Sequence, residues 1–196
     1  MKDDFILRLY SRPESVFTVD EIAQLFPGIS NESLRDRLYY FAKAGKVQRL
    51  RHGIYAKIAY NPFELANKLY KPAYISLETV LAKEGIVFQY YETIFAVSYL
   101  TRSIAIHNTE ILYRQMKGSV LTDTNGIEER VGYFIATKER AFLDAVYIYK
   151  NYHFDNLGAV DWEKAENLKK IYKNRAFEKR VADYYKLYKE ETYAHH

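Results

Sequence analysis

Basic side chains are concentrated in one short stretch of this sequence. Between residues 35 and 57 a single acid, Asp36, accompanies seven basic residues, which are Arg35, Arg37, Lys43, Lys46, Arg49, Arg51 and Lys57. The chain as a whole carries a net charge of only +4. A local cluster of Lys and Arg is typical of phosphate binding, because each neutralised phosphate releases condensed counterions. The stretch therefore predicts a nucleic-acid contact, with a solvated basic surface as the alternative.

The elements that must position these charges are predicted by apolar spacing and capping residues. Phe5 and Leu9 share one apolar face of a first helix, which ends near Pro13. Thr18 followed at the third position by a Glu is a capping-box pattern and begins a second helix. Pro27-Gly28 ends that helix. Two short helices and a tight turn are thus expected before the basic stretch.

A third helix is predicted from Ser30 or Asn31 to Gly45, with Leu34, Leu38 and Phe41 facing the core. With the second helix it forms a helix-turn-helix, whose outer face would meet DNA. We expect base contacts from Asn31, Ser33 and Arg35, phosphate contacts from Arg37, Tyr40 and Lys43, and further contributions from Tyr39 and Lys46.

Residues 46–58 are predicted to form a β-hairpin after the third helix. Polar and apolar residues alternate over 46–50 and 54–58, and Arg51-His52-Gly53 supplies the turn. A hairpin in this place is the wing of a winged helix. Its predicted contacts with the DNA backbone or minor groove come from Arg49, Arg51 and His52. Winged helices also dock proteins without binding DNA, so an adaptor is the alternative.

Residues 61–196 are predicted to form a second, mixed α/β domain. The predicted fold class is therefore α+β, with a winged helix-turn-helix at residues 1–60. Helices are predicted to begin at Pro62, within 76–79, after Thr137, at Asp161 and near Arg175. Strands are predicted at 93–98, 103–106, 119–121 and 132–135, the last two flanking Asn125-Gly126, a preferred dipeptide of hairpin turns. An antiparallel sheet with terminal helices is the expected product.

Patterns typical of enzymes and metal sites do not occur in the sequence. His52, His107 and His153 are not at helical metal-ligand spacing from one another, and the final His195-His196 is left aside as native or a tag remnant. No Gly-rich phosphate loop occurs. We therefore expect no enzyme activity, no cofactor and no metal.

Glu139, Arg140 and Asp144 form the most suggestive charged set of the second domain. Arg140 and Asp144 stand at i and i+4 of a predicted helix. An intrahelical ion pair worth about 0.2–0.5 kcal/mol is the expected role. An effector surface is the alternative.

Composition indicates a globular protein in a reducing compartment. The chain is 48% hydrophobic and has no Cys, so it forms neither disulfides nor thiolate metal sites. Its start is acidic and no apolar run approaches a membrane span, so we expect a cytoplasmic protein without membrane contact.

Tyrosine is unusually frequent, with 20 of 196 residues. Eight of them fall from Tyr147 to Tyr193. Tyr184 and Tyr188 keep the spacing of core residues on a helix, whereas Tyr185 and Tyr193 lie off that stripe. Tyrosine is enriched at interfaces, so the tail is a candidate partner surface.

Several strings in this order resemble the AbiEi-like antitoxins, the transcriptional regulators of type IV toxin-antitoxin systems. The strings are Gly45-Lys46, Arg49 to Ala56, Ala73 to Leu81 and Ile135 to Asp144, and the resemblance covers about residues 15–150. Lys138 departs from the family, which usually has Pro there. Pro at a first helical position mainly presets φ, so no chemistry is affected.

The resemblance implies an N-terminal domain that binds inverted repeats of double-stranded DNA in its own promoter. It also implies a C-terminal domain that counters a cognate nucleotidyltransferase toxin, often without a stable complex. We expect a monomer or weak dimer. Relatives without a toxin also exist, so a stand-alone regulator that binds a protein or small ligand is the alternative.

Overall fold

The computed structural model describes residues 2–194, which form a mixed α+β fold. The N-terminal region contains α1 (Lys2–Tyr10), β1 (Val16–Thr18), α2 (Val19–Leu25), α3 (Asn31–Lys43), β2 (Gln48–Arg51) and β3 (Ile54–Ala56). The three predicted helices and the predicted hairpin are present. The strand β1 was not predicted from the sequence.

Local side-chain contacts begin and end these helices. Thr18 Oγ1 accepts a hydrogen bond from the Glu21 amide at 3.2 Å, and the Glu21 carboxylate accepts one from the Thr18 amide at 2.9 Å, which confirms the capping box. Ser30 Oγ caps α3 by accepting from the Ser33 amide. Gly45 has φ +67°, a left-handed conformation that glycine adopts without steric cost, so the chain turns away from α3 there.

The short strands form an antiparallel sheet in the order β1-β3-β2. Arg51 pairs with Ile54, so the hairpin turn is His52-Gly53 alone and is one residue shorter than predicted. A bulge interrupts the register between Arg49 and Arg51. Because a bulge changes which face of the sheet the following side chain occupies, it separates the two arginines.

An apolar core lies between the three helices and one face of this sheet. Leu34, Leu38 and Phe41 of α3 are buried, as their spacing predicts. The Phe5 ring stacks on the rings of Phe26 and Phe41, with centroid distances of 4.3 and 5.4 Å. The buried members of this core all lie between residues 5 and 55. The N-terminal helices thus share a core that is local in the sequence.

The second region contains one six-stranded sheet and six further helices of the described chain. Its elements are α4 (Pro62–Leu69), β4 (Ala73–Ile75), α5 (Glu78–Lys83), β5 (Ile94–Ser98), β6 (Arg102–Ile106), β7 (Thr109–Gln115), α6 (Gly118–Leu121), β8 (Ile127–Arg130), β9 (Tyr133–Ala136), α7 (Lys138–Ile148), α8 (Trp162–Leu168) and α9 (Arg175–Ala194). Two 3₁₀ helices, Leu157–Ala159 and Lys169–Tyr172, precede α8 and α9.

The six-stranded sheet is mixed, so the prediction of an antiparallel sheet is confirmed only in part, for three of its five strand pairs. Its order is β6-β7-β5-β4-β9-β8, and the β5–β7 and β4–β9 pairs are parallel. Neither β4 nor β7 was predicted. Parallel neighbours are joined by connections that leave the sheet, so their pairing depends on contacts between distant segments rather than on local patterns.

The predicted strand at 119–121 is also wrong. These residues belong to the short helix α6, in which Val120 and Leu121 are buried. Val120 and Leu121 therefore pack into the core from a helical turn, since tertiary contacts override local propensity.

Asn125-Gly126 does not form the predicted hairpin turn, because Val131-Gly132 joins β8 to β9. Gly126 has φ +74°, and a Cβ atom there would lie 3.0 Å from Arg140 Cβ and 3.1 Å from a Leu168 methyl. The glycine is required for close packing against α7 and α8.

Three tyrosines of α9, Tyr184, Tyr185 and Tyr188, are half-buried against the rest of the second region. Tyr184 donates a hydrogen bond to the Tyr152 carbonyl at 2.6 Å. The rings of Tyr185 and Tyr188 lie 5.1 and 5.5 Å from that of Trp162. Tyr185, predicted to lie off the packing stripe, is therefore an intramolecular contact. The Tyr193 side chain and His195-His196 lie outside the described part of the chain.

The two regions meet at the carboxylate of Glu64 in α4, which is 3% exposed. It accepts hydrogen bonds from the amides of Ser15 and Val16 at 2.7 and 2.9 Å and from the Ser15 hydroxyl at 2.8 Å. Gly132 has φ +79°, and a Cβ atom there would lie 2.7 Å from the Glu64 carboxyl carbon. We call this packing of β1, α4 and the β8–β9 turn the Glu64 joint. On the same side, the larger core also includes Val16, Leu50, Ile54 and Ala56.

Candidate nucleic-acid interface

The helix α3 turns one face to the core and the opposite face to solvent. Tyr39 and Tyr40 are 59% and 52% exposed, whereas Leu34 and Leu38 are fully buried. The other predicted contact residues of the helix are exposed or half-buried; they are Asn31, Ser33, Arg35, Arg37 and Lys43. The whole outer face is therefore accessible to a partner.

A cleft of about 550 Å³ lies between α3, the first turn of α2 and the β2–β3 hairpin. We call it the α3 cleft. It brings together four of the predicted contact residues, Arg35, Tyr39, Arg49 and His52. Its other lining residues are Thr18, Val19, Asp20, Asp36, Gly53 and Tyr55. A guanidinium nitrogen of Arg49 lies 3.3 Å from His52 Nδ1, so the basic groups of the hairpin are direct neighbours.

The hairpin is held against the start of α2. The Val19 amide donates a hydrogen bond to the carbonyl of Gly53 in the hairpin turn at 3.0 Å. The strand β3 is paired on both sides, by β1 and β2. Arg49 and His52 therefore stand on a fixed support beside α3.

Two of the clustered basic residues face other parts of the protein. Arg51 pairs with Ile54, whose side chain belongs to the larger core. Burial raises the pKa of Tyr113 in β7, and the charge of Arg51 partly opposes that rise. Lys57 donates hydrogen bonds to the carbonyls of Arg12 and Tyr10 at 2.5 and 3.3 Å, at the end of α1. The α3 cleft therefore includes Arg49 and His52 but not Arg51, which is exposed outside it.

The remaining predicted residues extend beyond the α3 cleft, and they are Asn31, Ser33, Arg37, Tyr40, Lys43 and Lys46. Lys46 follows the helix, and its ammonium lies 5.9 Å from the centre of the Phe41 ring. Its carbonyl accepts a hydrogen bond from the Tyr10 hydroxyl. These contacts fix the backbone at the C-terminal end of α3, where the exposed Lys43 adds a further positive charge.

The α3 cleft contains charges of both signs. Arg35 and Arg49 are balanced by Asp20 and Asp36, so these four side chains together carry no net charge. Asp20 was not predicted for this site. It reaches the cleft because β1 places the start of α2 beside the hairpin, a pairing for which the sequence shows no local signal.

A second set of charged residues meets inside the second region. Arg140 and Asp144 are both fully buried, and Arg140 Nε donates to Asp144 Oδ1 at 3.3 Å. The predicted i,i+4 ion pair is present, but it is buried, so the value of about 0.2–0.5 kcal/mol for an exposed helical pair does not apply to it. Removing one partner would leave an uncompensated buried charge.

All five N–H groups of the Arg140 guanidinium have acceptors. Besides Asp144, Nη1 donates to the carbonyls of Asp123 and Asn125, and Nη2 donates to the Val120 carbonyl and the Tyr74 hydroxyl. The side chain therefore holds α6 and the loop after it against β4 and α7.

The Asp144 carboxylate is equally well satisfied. It accepts hydrogen bonds from the Tyr172 hydroxyl at 2.7 Å and the Ser76 hydroxyl at 2.8 Å. Complete burial raises the pKa of Asp144, while the charge of Arg140 and the two hydroxyl donors oppose that rise. We call Tyr74, Ser76, Arg140, Asp144 and Tyr172 the Arg140 network. Its position inside the core indicates a structural role, and the two longest family-like strings supply four of its five members.

Among the described residues no group of three or more His, Asp and Glu side chains could hold a metal ion. Within residues 2–194 no helix has both the length and the apolar character of a membrane span. No protein-family profile matches this chain, and no curated protein is significantly similar to it in sequence.

Proposed function

We propose that the N-terminal region is a winged helix-turn-helix that binds double-stranded DNA, and that the chain is a transcriptional regulator. One observation carries the proposal. Arg35 and Tyr39 on the exposed face of α3 line one cleft together with the hairpin residues Arg49 and His52 and the start of α2. A helix that enters the major groove and a hairpin that reaches the neighbouring backbone need this arrangement.

Binding would place the start of α3 nearest the bases. Asn31, Ser33 and Arg35 lie in its first turns, where the recognition helices of such proteins read base edges. Arg37, Lys43 and Arg49 would meet phosphates, which fix the position of the protein on the duplex but read no sequence.

Salt dependence tests the proposal directly. The duplex upstream of the chain's own gene should bind with an affinity that falls steeply with salt, with a log–log slope of about −0.9 per phosphate contact. Arg49→Ala should flatten that slope by about 0.9. Arg102→Ala, which removes an exposed arginine of β6 in the second region, is the matched control and should leave the slope unchanged. Equal slopes for the parent and Arg49→Ala would contradict the placement of the hairpin on DNA.

Sequence reading is tested separately through Arg35. Arg35→Ala should lower the preference for the promoter duplex over a scrambled duplex by about 1–3 kcal/mol, because an arginine that contacts guanine carries that much discrimination. Competition binding at one salt concentration measures this preference.

The resemblance to AbiEi-like antitoxins supports a more specific role. We propose that the chain represses its own operon by binding inverted repeats and counters a nucleotidyltransferase toxin, without a stable complex. The support is the set of strings that carries the resemblance. Where an adjacent gene encodes such a toxin, coexpression of the chain should restore the growth of cells that the toxin arrests. Growth arrest that persists at equal protein levels would contradict the antitoxin role and would leave the proposal of DNA binding unaffected.

An adaptor that docks protein is the second candidate, and the α3 cleft itself favours it. Two acids balance the two arginines there, and Tyr39 and Tyr40 are exposed beside them, a composition also found at protein interfaces. In that case the purified chain would ignore the promoter duplex even at low salt, and substitution of Tyr39 would weaken a protein partner instead.

A further inference from the structure

An open cleft of the second region has a volume of about 830 Å³. It lies between the end of α5, the β8–β9 hairpin, the start of α7 and α8. Val80, Ile135 and Leu168 contribute apolar surface, and Tyr133 contributes an aromatic ring. This volume and this mixture of apolar walls with a few polar groups are typical of small-molecule sites. We call it the Glu139 cleft.

Glu139 is the unusual residue of this cleft. It is 4% exposed, and its Oε1 atom is buried without a hydrogen-bond partner among the described residues. The ammonium of Lys138 lies 4.0 Å from that oxygen, beyond hydrogen-bond distance. A buried carboxylate oxygen without a donor is costly, and nearly all such groups in proteins are satisfied by protein, water or ligand.

Cations outnumber acids around the rim of the cleft. Lys83 and Lys164 are exposed there and Lys138 is half-buried. Glu84 is an exposed acid of the same rim, and Glu128 is paired with Arg130. Lys164 also pairs with Asp161 at 3.1 Å. The hydrogen bond and charge of Asp161, and then the charge of Glu139, raise the pKa of Lys164, so the rim and the buried acid are close enough to interact.

From this geometry we infer that the Glu139 cleft binds a small organic anion that also carries an ammonium or other N–H donor. The donor would occupy the unpartnered oxygen of Glu139, and the anionic group would lie among Lys83, Lys138 and Lys164. Such a charge-assisted hydrogen bond is stronger than a neutral one. The Glu139 cleft shares no lining residue with the α3 cleft, so this inference does not depend on the proposed DNA binding.

Matched pairs of probes test the donor requirement on the full chain without DNA. Glucosamine 6-phosphate with 2-deoxyglucose 6-phosphate, glutamate with glutarate, and AMP with purine riboside monophosphate each differ by one amino group. Calorimetry should show that at least one amine-bearing member binds about tenfold or more tightly than its counterpart, the effect of one charge-assisted hydrogen bond. Equal affinity within every pair, or no binding by any member up to about 10 mM, would overturn the inference.

Two variants link that preference to the buried acid. Glu139→Gln should weaken the preference for the amine, because the amide oxygen still accepts a hydrogen bond but carries no charge. Glu84→Gln removes an exposed charge from the same cleft and should retain the full preference. An undiminished preference in Glu139→Gln would overturn the inference.

A measurement on the free protein separates a ligand-binding acid from a structural one. Glu139→Met replaces the unsatisfied carboxylate with an apolar side chain of similar volume. If the oxygen awaits a ligand donor, the melting temperature of the free protein should rise by a few degrees, because buried polar groups kept for binding reduce stability. A clear fall would assign Glu139 a structural role and overturn the inference.

Discussion

Charged side chains occupy opposite positions in the two regions of this protein. Around α3 they lie at the surface, over a core whose buried members are all apolar or aromatic. In the second region Arg140 and Asp144 are fully buried and hydrogen-bonded on all sides. A surface charge can be removed at little cost to folding, whereas a buried charge that loses its partner is strongly destabilising. Variants near α3 should therefore affect binding, and variants of the Arg140 network should affect folding.

The largest expected effect comes from breaking the buried pair. Arg140→Met leaves Asp144 charged and unpartnered inside the core, and should lower the free energy of unfolding by about 3–5 kcal/mol. Urea denaturation followed by circular dichroism measures this loss. Adding Asp144→Leu should recover part of the stability, since no lone charge then remains. A single variant as stable as the parent would show that the network contributes little to the fold.

The Glu64 joint should give the next largest effect. Both Gly132 and Gly53 have positive φ, so an alanine at either position is strained by about 1–2 kcal/mol. Gly53 has open space around it, whereas a Cβ atom at Gly132 meets the buried Glu64 side chain. Gly132→Ala should therefore cost about 1–3 kcal/mol more than Gly53→Ala in thermal denaturation. An equal loss of stability in Gly132→Ala and Gly53→Ala would mean that the Glu64 side chain moves aside without cost.

Exposed arginines should have almost no effect on stability. Arg49→Ala and Arg35→Ala are each expected to change the free energy of unfolding by less than about 0.5 kcal/mol, because neither side chain is buried. Urea denaturation at the salt concentration of the binding assay measures the free energy of unfolding of each variant, so stability and DNA affinity can be compared under one condition. A loss comparable to that of Arg140→Met would erase the distinction between the two regions.

The N-terminal helices could be predicted from the sequence because their signals are local. The caps Thr18 and Ser30 and the stop at Gly45 lie within a few residues of the bonds they make. The strand β1 has only three residues and is defined by its pairing with β3, far along the chain. No local pattern therefore predicts it. The position of Asp20 in the α3 cleft could not be predicted for the same reason.

In the second region two sequence patterns, an i,i+4 pair of charges and an Asn-Gly dipeptide, are each compatible with two different structures. The i,i+4 spacing of Arg140 and Asp144 is identical for an exposed and a buried pair, and only the apolar residues 141–143 between them hinted at burial. Asn125-Gly126 suits a hairpin turn, yet Gly126 is needed because Arg140 and Leu168 approach its backbone. These outcomes depend on segments brought together by the mixed sheet, which local patterns do not encode.

A small effect that depends on pH is expected at the boundary between the two regions. Glu21, in the α2 capping box, accepts a hydrogen bond from Lys68 of α4 at 2.5 Å. Partial burial raises the pKa of Glu21, but the bonds from Lys68 and from the Thr18 amide lower it more, so the pKa lies below its ordinary value of 4.5. The folded state then binds fewer protons than the unfolded chain in acid, and the contribution of the pair is present above about pH 4.5 and lost as pH falls through the folded pKa.

A double-mutant cycle between Glu21→Gln and Lys68→Met measures this contribution. About a third of the Glu21 side chain is exposed, so solvent screening should keep the coupling free energy below about 1 kcal/mol at neutral pH. The coupling should shrink towards zero in acid. A coupling as large as the loss in Arg140→Met, or one that persists in acid, would mean that the boundary behaves like the buried network rather than the exposed surface.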